Sequence, residues 1–209
     1  MTIVMLAAGT SSRMGNANKM LLPYKGVPMV AHCCMEALDF LEKKGCGNTL
    51  VVVTGYMKDE VEKALEPCIK AAKESPRKPH IVLTHNEDYE NGQYSSTVRA
   101  VSKVAQGEDF FISLADMPLV GPENYEALLP LLNDHDVVRP FITTQKGREP
   151  GHPVLLSHRM KKAIEENPSI GSVNRLLSTN RYDVHEASFN DGSWTFDVDT
   201  PQVYDTLSM

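Results

Sequence analysis

Short apolar runs without polar alternation recur along the chain, and an amphipathic segment follows most of them. Runs such as TLVVVT are typical of strands in a parallel sheet, because helices cover both faces of such a sheet. This alternation predicts βαβ units in an α/β fold: a Rossmann-like, doubly wound, mostly parallel sheet with helices on both faces. The strands predicted in this way are Ile3–Leu6, Thr49–Thr54, His80–Thr84, Phe110–Leu114 and Val137–Arg139.

The segments between the strands carry helix signals. Pro28–Lys44 places apolar side chains at helical spacing, with proline at its start and Gly45 just past its end. The other predicted helices are Lys58–Leu65, Ser95–Ala105, Pro122–Asn133, His158–Glu166 and Val173–Leu177. Beyond residue 151 three further strands are predicted, at Val154–Leu156, Tyr182–Ala187 and Trp194–Val198. The 209 residues suit a single domain, and the proline-bearing stretch Lys73–Pro79 is short enough to be a surface loop.

The charge balance limits the classes of partner. A formal net charge of -6 argues against a protein that binds nucleic acid through a basic face. No apolar stretch approaches the roughly 20 residues of a membrane helix, and no charged-then-apolar leader begins the chain. The four cysteines show no C-x-x-C pair, which favours reduced thiols. We therefore expect a cytoplasmic protein that contacts neither nucleic acid nor membrane.

The loop after the first strand, Ala7–Asn18, has the composition of an anion site. Gly9 and Gly15 permit backbone conformations that expose consecutive N–H groups. Arg13 offers a planar fork and Lys19 a point charge to phosphate oxygens. The spacing excludes both the Walker A motif and the G-x-G-x-x-G fingerprint. From the residues alone, a phosphate-binding loop and a solvated surface loop both remain open.

Two stretches place carboxylates where a cation could bind. In FFISLADMPLV an apolar strand delivers Asp116 to its carboxyl end, where it could hold Mg²⁺. In WTFDVDTP, Asp197 and Asp199 alternate on a predicted strand and so face the same side, which is costly without a compensating cation. The alternatives are that Asp116 caps the next helix and that Asp199 caps a helix beginning at Pro201.

A polar stretch, NEDYENGQYSSTVRA, follows the third predicted strand. Its Ser95 and Ser96 begin a predicted helix, where hydroxyl and N–H groups could contact the ribose or base of a nucleotide. An ordinary helix N-cap by either serine is the alternative. Farther along, REPGHPVLL makes a tight entry into a strand at Gly151 and His152. His152 could bind an acceptor there, and the alternative is a turn histidine that is hydrogen-bonded by the backbone.

The stretch LAAGTSSRMGNANKMLLPYKGVPMVAH strongly resembles the signature of the MobA/MocA-like NTP transferases, which build molybdenum-cofactor dinucleotides. Their pattern is L-A-[AG]-G-x-S-x-R-M-G followed, a few residues later, by K-x-L-L. The positions that match it are Leu6, Ala7, Gly9, Ser11, Arg13, Met14, Gly15 and Lys19. The likeness extends to later landmarks, with Ala115 replacing the glycine usual before the metal aspartate.

The resemblance implies a nucleotide-diphospho-sugar transferase-like fold and a Mg²⁺-dependent nucleotidyltransferase. Residues 1 to about 120 would bind the NTP, and about 121 to 209 the acceptor and a second metal ligand. It implies catalytic roles for Arg13 and Lys19, metal binding by Asp116, Asp197 and Asp199, and acceptor binding by Gly151 and His152. The nucleotide-binding positions that it implies are Leu6, Ala7, Ala8, Gly9, Ser11, Arg13, Lys19, Thr54, Asn86, Ser95 and Ser96.

Within this family the sequence resembles the cytidylyl branch. Ala8 stands where guanylyl members usually carry glycine, and the Ser95-Ser96 loop is similar to the cytidylyl type. The expected substrates are CTP and molybdopterin or molybdenum cofactor, with a molybdoenzyme or its maturation chaperone as a further partner. The alternatives are a guanylyltransferase of the same cofactor, an NTP transferase for another phosphorylated acceptor such as a sugar phosphate, and a non-catalytic carrier of the cofactor.

Overall fold

A computed structural model describes residues 1–15, 17–145, 147–179 and 181–207. The strands within these ranges are β1 (Thr2–Ala7), β2 (Pro23–Tyr24), β3 (Val27–Pro28), β4 (Thr49–Thr54), β5 (His80–His85), β6 (Phe110–Leu114), β7 (Val137–Thr144), β8 (Gly147–Pro150), β9 (Val154–Leu156) and β10 (Val184–Phe189). The α-helices are α1 (Met29–Lys43), α2 (Lys58–Ala64), α3 (Glu66–Glu74), α4 (Gln93–Val101), α5 (Pro122–Leu132), α6 (His158–Glu166), α7 (Val173–Leu177) and α8 (Pro201–Thr206).

Eight of these strands form one sheet in the order β10-β7-β9-β6-β1-β4-β5, with β8 paired to β7. The run from β6 through β1 and β4 to β5 is parallel, and β10 is parallel to β7. Strands β8 and β9 are antiparallel to their neighbours. The predicted mostly parallel sheet is therefore confirmed. β2 and β3 form a separate small hairpin.

Alternate residues of β1 enter two cores on opposite faces of the sheet. Ile3 and Met5 pack with buried side chains of α1 and α5, whereas Val4 and Leu6 pack with those of α4 and α6. Both faces of the strand are buried, so neither set of side chains could be polar. Each fully buried aliphatic side chain contributes about 1.5–3 kcal/mol to stability. The predicted helices on both faces are thus confirmed, with α1 close to its expected bounds.

Several predicted elements differ from the structure: β7 continues to Thr144, and β10 runs from Val184 to Phe189 and not from Tyr182 to Ala187. Helix α4 begins at Gln93 rather than Ser95 and ends at Val101. The predicted strand Trp194–Val198 is wrong: Gly192–Trp194 is a 3-10 turn, and residues 196–199 have no regular structure. The turn forms because the Asp191 carboxylate accepts hydrogen bonds from Ser193, so the chain cannot extend into a strand there.

In the described ranges, no helix combines the length and apolar character needed to cross a membrane.

Candidate active site

A cleft opens at the carboxyl ends of β1 and β6. Because these strands are parallel neighbours, the loops that follow them meet at one edge of the sheet, where open α/β sheets bind ligands. The start of α4 and the segment 195–199 complete the walls. The cleft is lined by Leu6, Ala8, Gly9, Thr10, Arg13, Lys19, Met20, Tyr89, Glu90, Gly92, Gln93, Ser96, Leu114, Asp116, Asp197 and Asp199.

The loop after β1 is held from within by two polar side chains; its Asn16 lies outside the described residues. The Ser11 hydroxyl accepts a hydrogen bond from the Lys19 backbone N–H at 3.1 Å. It also contacts the Asn18 side-chain oxygen, which accepts the Met20 N–H at 3.0 Å. Ser11 is buried and does not line the cleft, so its described contacts shape the loop. Asn18 was not among the predicted site residues, since nothing in the sequence marks it as the cap of a 3-10 turn.

Lys19 stands between two carboxylates. Its Nζ lies 2.7 Å from Asp199 Oδ1 and also pairs with Asp116 Oδ2. Burial alone would lower the pKa of Lys19, but the two carboxylates outweigh burial and raise the pKa, so the ammonium stays charged. Arg13 extends from the same loop with its side chain 66% exposed, and its Nη2 lies 2.5 Å from Asp199 Oδ2. Both predicted cations therefore face the predicted carboxylates.

A backbone hydrogen bond joins the segment that carries Asp197 and Asp199 to Asp116. The Val198 N–H donates to the Asp116 carbonyl at 2.9 Å, so that Asp197 and Asp199 stand on either side of this anchor. Burial and the Asp199 charge raise the pKa of Asp197 to about 6. For Asp199, burial is outweighed by the hydrogen bond from Lys19, and its pKa is lowered. The predicted pair is thus brought to Asp116 by a loop and not by a strand.

Neither aspartate alternative agrees with the structure. Helix α8 is capped by Thr200, whose hydroxyl accepts the Val203 N–H, so Asp199 is not the cap. Helix α5 begins after Gly121, whose N–H donates to the Asn124 side chain at 2.9 Å, so Asp116 is not a cap either.

The carboxylate group fits a hard divalent cation by its chemistry. Asp116 Oδ1 is buried and has no hydrogen-bond partner among the described residues, and carboxylate oxygens are the ligands that Mg²⁺ prefers. In the described part of the chain, however, no three His, Cys, Asp or Glu side chains form a ready metal centre. Lys19 holds the position between Asp116 and Asp199. A cation bound there would displace the ammonium from its carboxylate partners.

The predicted residues Asn86, Ser95 and Ser96 line two neighbouring depressions, of which one is the cleft. The Asn86 amide donates to Ser95 Oγ at 2.8 Å and to Ser96 Oγ at 2.9 Å. Ser96 lines the cleft, whereas Asn86 and Ser95 line the depression beside it. Gly92 is the N-cap of α4, so the alternative that a serine caps this helix is wrong.

Of the remaining predicted nucleotide-binding residues, some line the cleft and others do not. Leu6, Ala8 and Gly9 line the cleft. The Ala7 side chain lies in the core on the opposite face of the sheet, and the buried Thr54 hydroxyl donates to Glu62 at 3.0 Å. Neither of these two side chains lines the cleft. We therefore do not propose that the Ala7 and Thr54 side chains contact the nucleotide.

Sequence reasoning missed Gly55, which directly follows β4. A Cβ at Gly55 would lie 2.7 Å from the Ala8 carbonyl oxygen and 2.7 Å from Tyr89 Cβ. Only glycine therefore lets the loop after β1 pack against the turn that bears Tyr89. A glycine directly after a buried strand was the available signal.

Gly151 and His152 lie in a second pocket that adjoins the cleft and shares Leu6 and Gln93 with it. The His152 N–H donates to the Trp194 carbonyl at 2.8 Å, and its Nδ1 lies 3.4 Å from the Ile112 carbonyl. Burial lowers the pKa of His152, so the ring is neutral. With Nδ1–H directed at a carbonyl, Nε2 is left as an acceptor and not as a cation for phosphate.

The Gly151 turn also holds the segment that leads to the carboxylates. A Cβ at Gly151 would lie 2.2 Å from the Trp194 carbonyl oxygen, and the neighbouring backbone cannot yield. We expect Gly151→Ala to lower the free energy of unfolding by about 1–3 kcal/mol through overpacking, as measured by urea denaturation. Gly192→Ala is the matched control, because a Cβ there meets nothing within 4 Å. Equal stability of the two variants would contradict this close contact.

The geometry can be compared with known proteins. A family model described as a MobA-like NTP transferase domain matches residues 3–185. Rv0371c from Mycobacterium tuberculosis H37Rv is similar in structure, with a TM-score of 0.73 and 23% identity over 99% of this chain and 95% of that one. Its complex with manganese gives a TM-score of 0.69 at 21% identity, over 99% and 96%. No curated protein sequence matches the chain.

A third solved structure is CMP:2-keto-3-deoxy-manno-octonic acid synthetase complexed with CTP, with a TM-score of 0.71 and 17% identity over 99% of this chain and 95% of that one. At these identities the likenesses establish the fold, which is the expected nucleotide-diphospho-sugar transferase-like fold. The family match spans most of the sequence and includes β1, its loop and the Asp116 turn. The chain therefore belongs to the MobA-like NTP transferase family and is a nucleotidyltransferase.

Proposed function

We propose that the protein transfers CMP from CTP to the phosphate of molybdopterin or molybdenum cofactor, with Mg²⁺ and with release of pyrophosphate. The observation that carries the proposal is the placement of Arg13 and Lys19 against Asp116, Asp197 and Asp199 in one cleft. Cations for phosphates and carboxylates for a metal are both required for transfer from an NTP, whereas nucleotide binding alone does not require the metal site.

The reaction needs charge neutralisation and alignment more than proton transfer. The acceptor is a phosphate monoester that is already anionic at neutral pH, so no general base is required. The backbone of the loop after β1 holds the NTP phosphates, and Arg13 and Lys19 stabilise the charge that develops on the departing pyrophosphate. Asp116 with Asp197 and Asp199 would hold the cation, which when bound supplies positive charge to phosphate oxygens.

In this proposal the chain works in two parts. Residues 1 to about 120 provide the NTP loop and Asp116, and residues from about 121 provide the acceptor turn and the second carboxylates. Lys19 and Arg13 exchange their carboxylate partners for phosphates when the nucleotide arrives. The CTP in the complex of one similar structure and the manganese in that of another support the same ligand classes here.

Base choice in this proposal depends on Ala8. Its methyl group lines the cleft beside Gly55, where it narrows the space for a purine. We expect Ala8→Gly to raise the ratio of GTP use to CTP use by about tenfold, because one methyl group in a pocket changes discrimination by roughly this amount. The measurement is kcat/KM with each nucleotide. An unchanged ratio would mean that the base is selected elsewhere.

The test of the proposed function is pyrophosphate release with each of four NTPs, with and without molybdenum cofactor. We expect release only with CTP and cofactor together. Release with GTP would identify the guanylyl alternative, and release with a sugar phosphate would identify another acceptor. Nucleotide and cofactor binding without turnover would leave the carrier role, in which the protein hands the cofactor to a molybdoenzyme or its maturation chaperone in the cytoplasm.

A further inference from the structure

Residues 197–199, which supply two of the carboxylates, stand just before helix α8. The helix has six residues and buries none of them completely. Phe196, Tyr204 and Leu207 are partly buried and pack against the core. Apolar packing therefore holds this end of the described chain only in part. The family match ends at residue 185, so the role of α8 has to be inferred from its own contacts.

One side-chain hydrogen bond joins α8 to the hairpin of β2 and β3. The Tyr204 hydroxyl donates to the Pro23 carbonyl at 2.6 Å. Pro23 lies four residues after Lys19, and Tyr204 lies five residues after Asp199. The ion pair of Lys19 Nζ with Asp199 Oδ1, at 2.7 Å, joins the same two parts of the chain. These two parts are thus linked twice, once by charges inside the cleft and once by a phenol that does not line it.

The hairpin is in turn fixed to the turn that bears Asp116. The Tyr24 ring packs edge-on against the His32 ring of α1, with the ring centroids 4.7 Å apart. His32 Nε2 lies 3.0 Å from the Pro118 carbonyl. Burial lowers the pKa of His32, so the ring is neutral and Nε2 carries the proton that this carbonyl accepts. The hairpin therefore offers α8 an attachment point that is itself connected to the Asp116 turn.

The charged link and the uncharged link respond differently to a nucleotide. In the proposed function the phosphates take Arg13 and Lys19 from Asp199, and the anionic triphosphate then repels the carboxylate that is left. The hydrogen bond between Tyr204 and Pro23 carries no charge and lies outside the cleft lining, so phosphates do not compete for it. It is the link that can persist when the nucleotide is bound.

We propose that Tyr204 is a positioning residue that keeps residues 197–199 in the cleft once the nucleotide has taken Lys19 and Arg13. The inference rests on the proposed function, because a bound nucleotide is what removes the two cations from their carboxylate partner. Tyr204 touches no substrate. It acts through the carboxylates, which it keeps beside Asp116 for the metal ion.

The test compares Tyr204→Phe with the wild type by isothermal titration calorimetry with three ligands: Mn²⁺ alone, CTP in EDTA, and the complex of Mn²⁺ with CTP. Phenylalanine keeps the ring that packs against the core and removes only the hydroxyl. For Mn²⁺ alone we expect affinities equal within about twofold, because the charged link still holds nearly every molecule in the closed arrangement. CTP in EDTA should also bind equally. The Mn²⁺ complex of CTP should bind about threefold to tenfold more weakly to Tyr204→Phe, as for the loss of one ordinary hydrogen bond.

Two further proteins show whether Tyr204 acts through the carboxylates. Thr206→Val is the matched control: it removes a hydroxyl from the same helix, and that hydroxyl donates to the Val203 carbonyl inside the helix. It should leave all three affinities within about twofold. In a protein that already carries Asp197→Asn and Asp199→Asn, adding Tyr204→Phe should weaken binding of the Mn²⁺ complex no further.

The outcomes separate this inference from the proposed function. Equal binding of the Mn²⁺ complex of CTP by the wild type and Tyr204→Phe would overturn the positioning role while leaving nucleotidyl transfer intact. A similar loss for all three ligands, together with a lower melting temperature, would overturn it as well, because the hydroxyl would then serve the fold as a whole. Failure of the wild type to bind CTP in any form would instead remove the proposed function on which the inference rests.

Discussion

Replacing Lys19 by methionine is expected to reduce turnover by about a hundredfold to a thousandfold, the loss typical of removing one preorganised group that stabilises transition-state charge. Lys19 is a buried cation in the cleft, and its side chain is only 10% exposed. Water cannot readily take over its charge, because the Lys19 and Asp116 side chains are only 10% and 12% exposed. Methionine keeps the apolar stem of the lysine and removes only the ammonium.

The same substitution should raise the affinity for a metal ion although it lowers turnover. Lys19 neutralises Asp116 and Asp199, so its removal leaves carboxylates that attract a cation more strongly. We expect Lys19→Met to bind Mn²⁺ more tightly than the wild type when no nucleotide is present, as measured by isothermal titration calorimetry. Lys63→Met, on the exposed face of α2, is the matched control and should change neither quantity. Wild-type turnover in Lys19→Met would remove this residue from the reaction, and unchanged Mn²⁺ affinity would contradict its role as counter-ion.

The sheet could be predicted because its physical cause is local. Strands buried on both faces must be continuously apolar, and β1, β4 and β6 carry that signal in a few residues each. The same reasoning wrongly predicted a strand at Trp194–Val198. Trp194 and Val198 are both buried, and they give the segment an apolar alternation that resembles a strand although it is a turn and a loop.

The site was predicted as a set of residues but not as an arrangement. Asp197 and Asp199 do lie beside Asp116, yet the cause is the hydrogen bond from Val198 to the Asp116 carbonyl and not strand alternation. Contacts between distant parts of the chain leave no local pattern. For the same reason Arg139, which β7 brings to the pocket that adjoins the cleft, carried no signal in the sequence.

Asp116→Asn is expected to lower turnover by at least about a hundredfold and to weaken Mn²⁺ binding. Asparagine has nearly the same shape, and the Asp116 carbonyl that accepts the Val198 N–H belongs to the backbone, so the segment with Asp197 and Asp199 should keep its position. What is lost is the negative charge and one anionic oxygen, and a neutral amide is a weaker ligand for a hard divalent cation than a carboxylate. The loss of turnover should therefore accompany a loss of metal affinity.

Two further variants identify the carboxylate that binds the metal ion together with Asp116. Asp197→Asn and Asp199→Asn, measured in the same Mn²⁺ titration, should differ, because Asp199 already pairs with Lys19 and Arg13 while Asp197 is held mainly against Asp199. The variant with the larger loss of affinity identifies the side chain that joins Asp116. Asp134→Asn is the matched control, because Asp134 is exposed and does not line the cleft. If Asp116→Asn kept both its Mn²⁺ affinity and its turnover, the metal would have to bind elsewhere and the carboxylates would serve only to hold Lys19 in place.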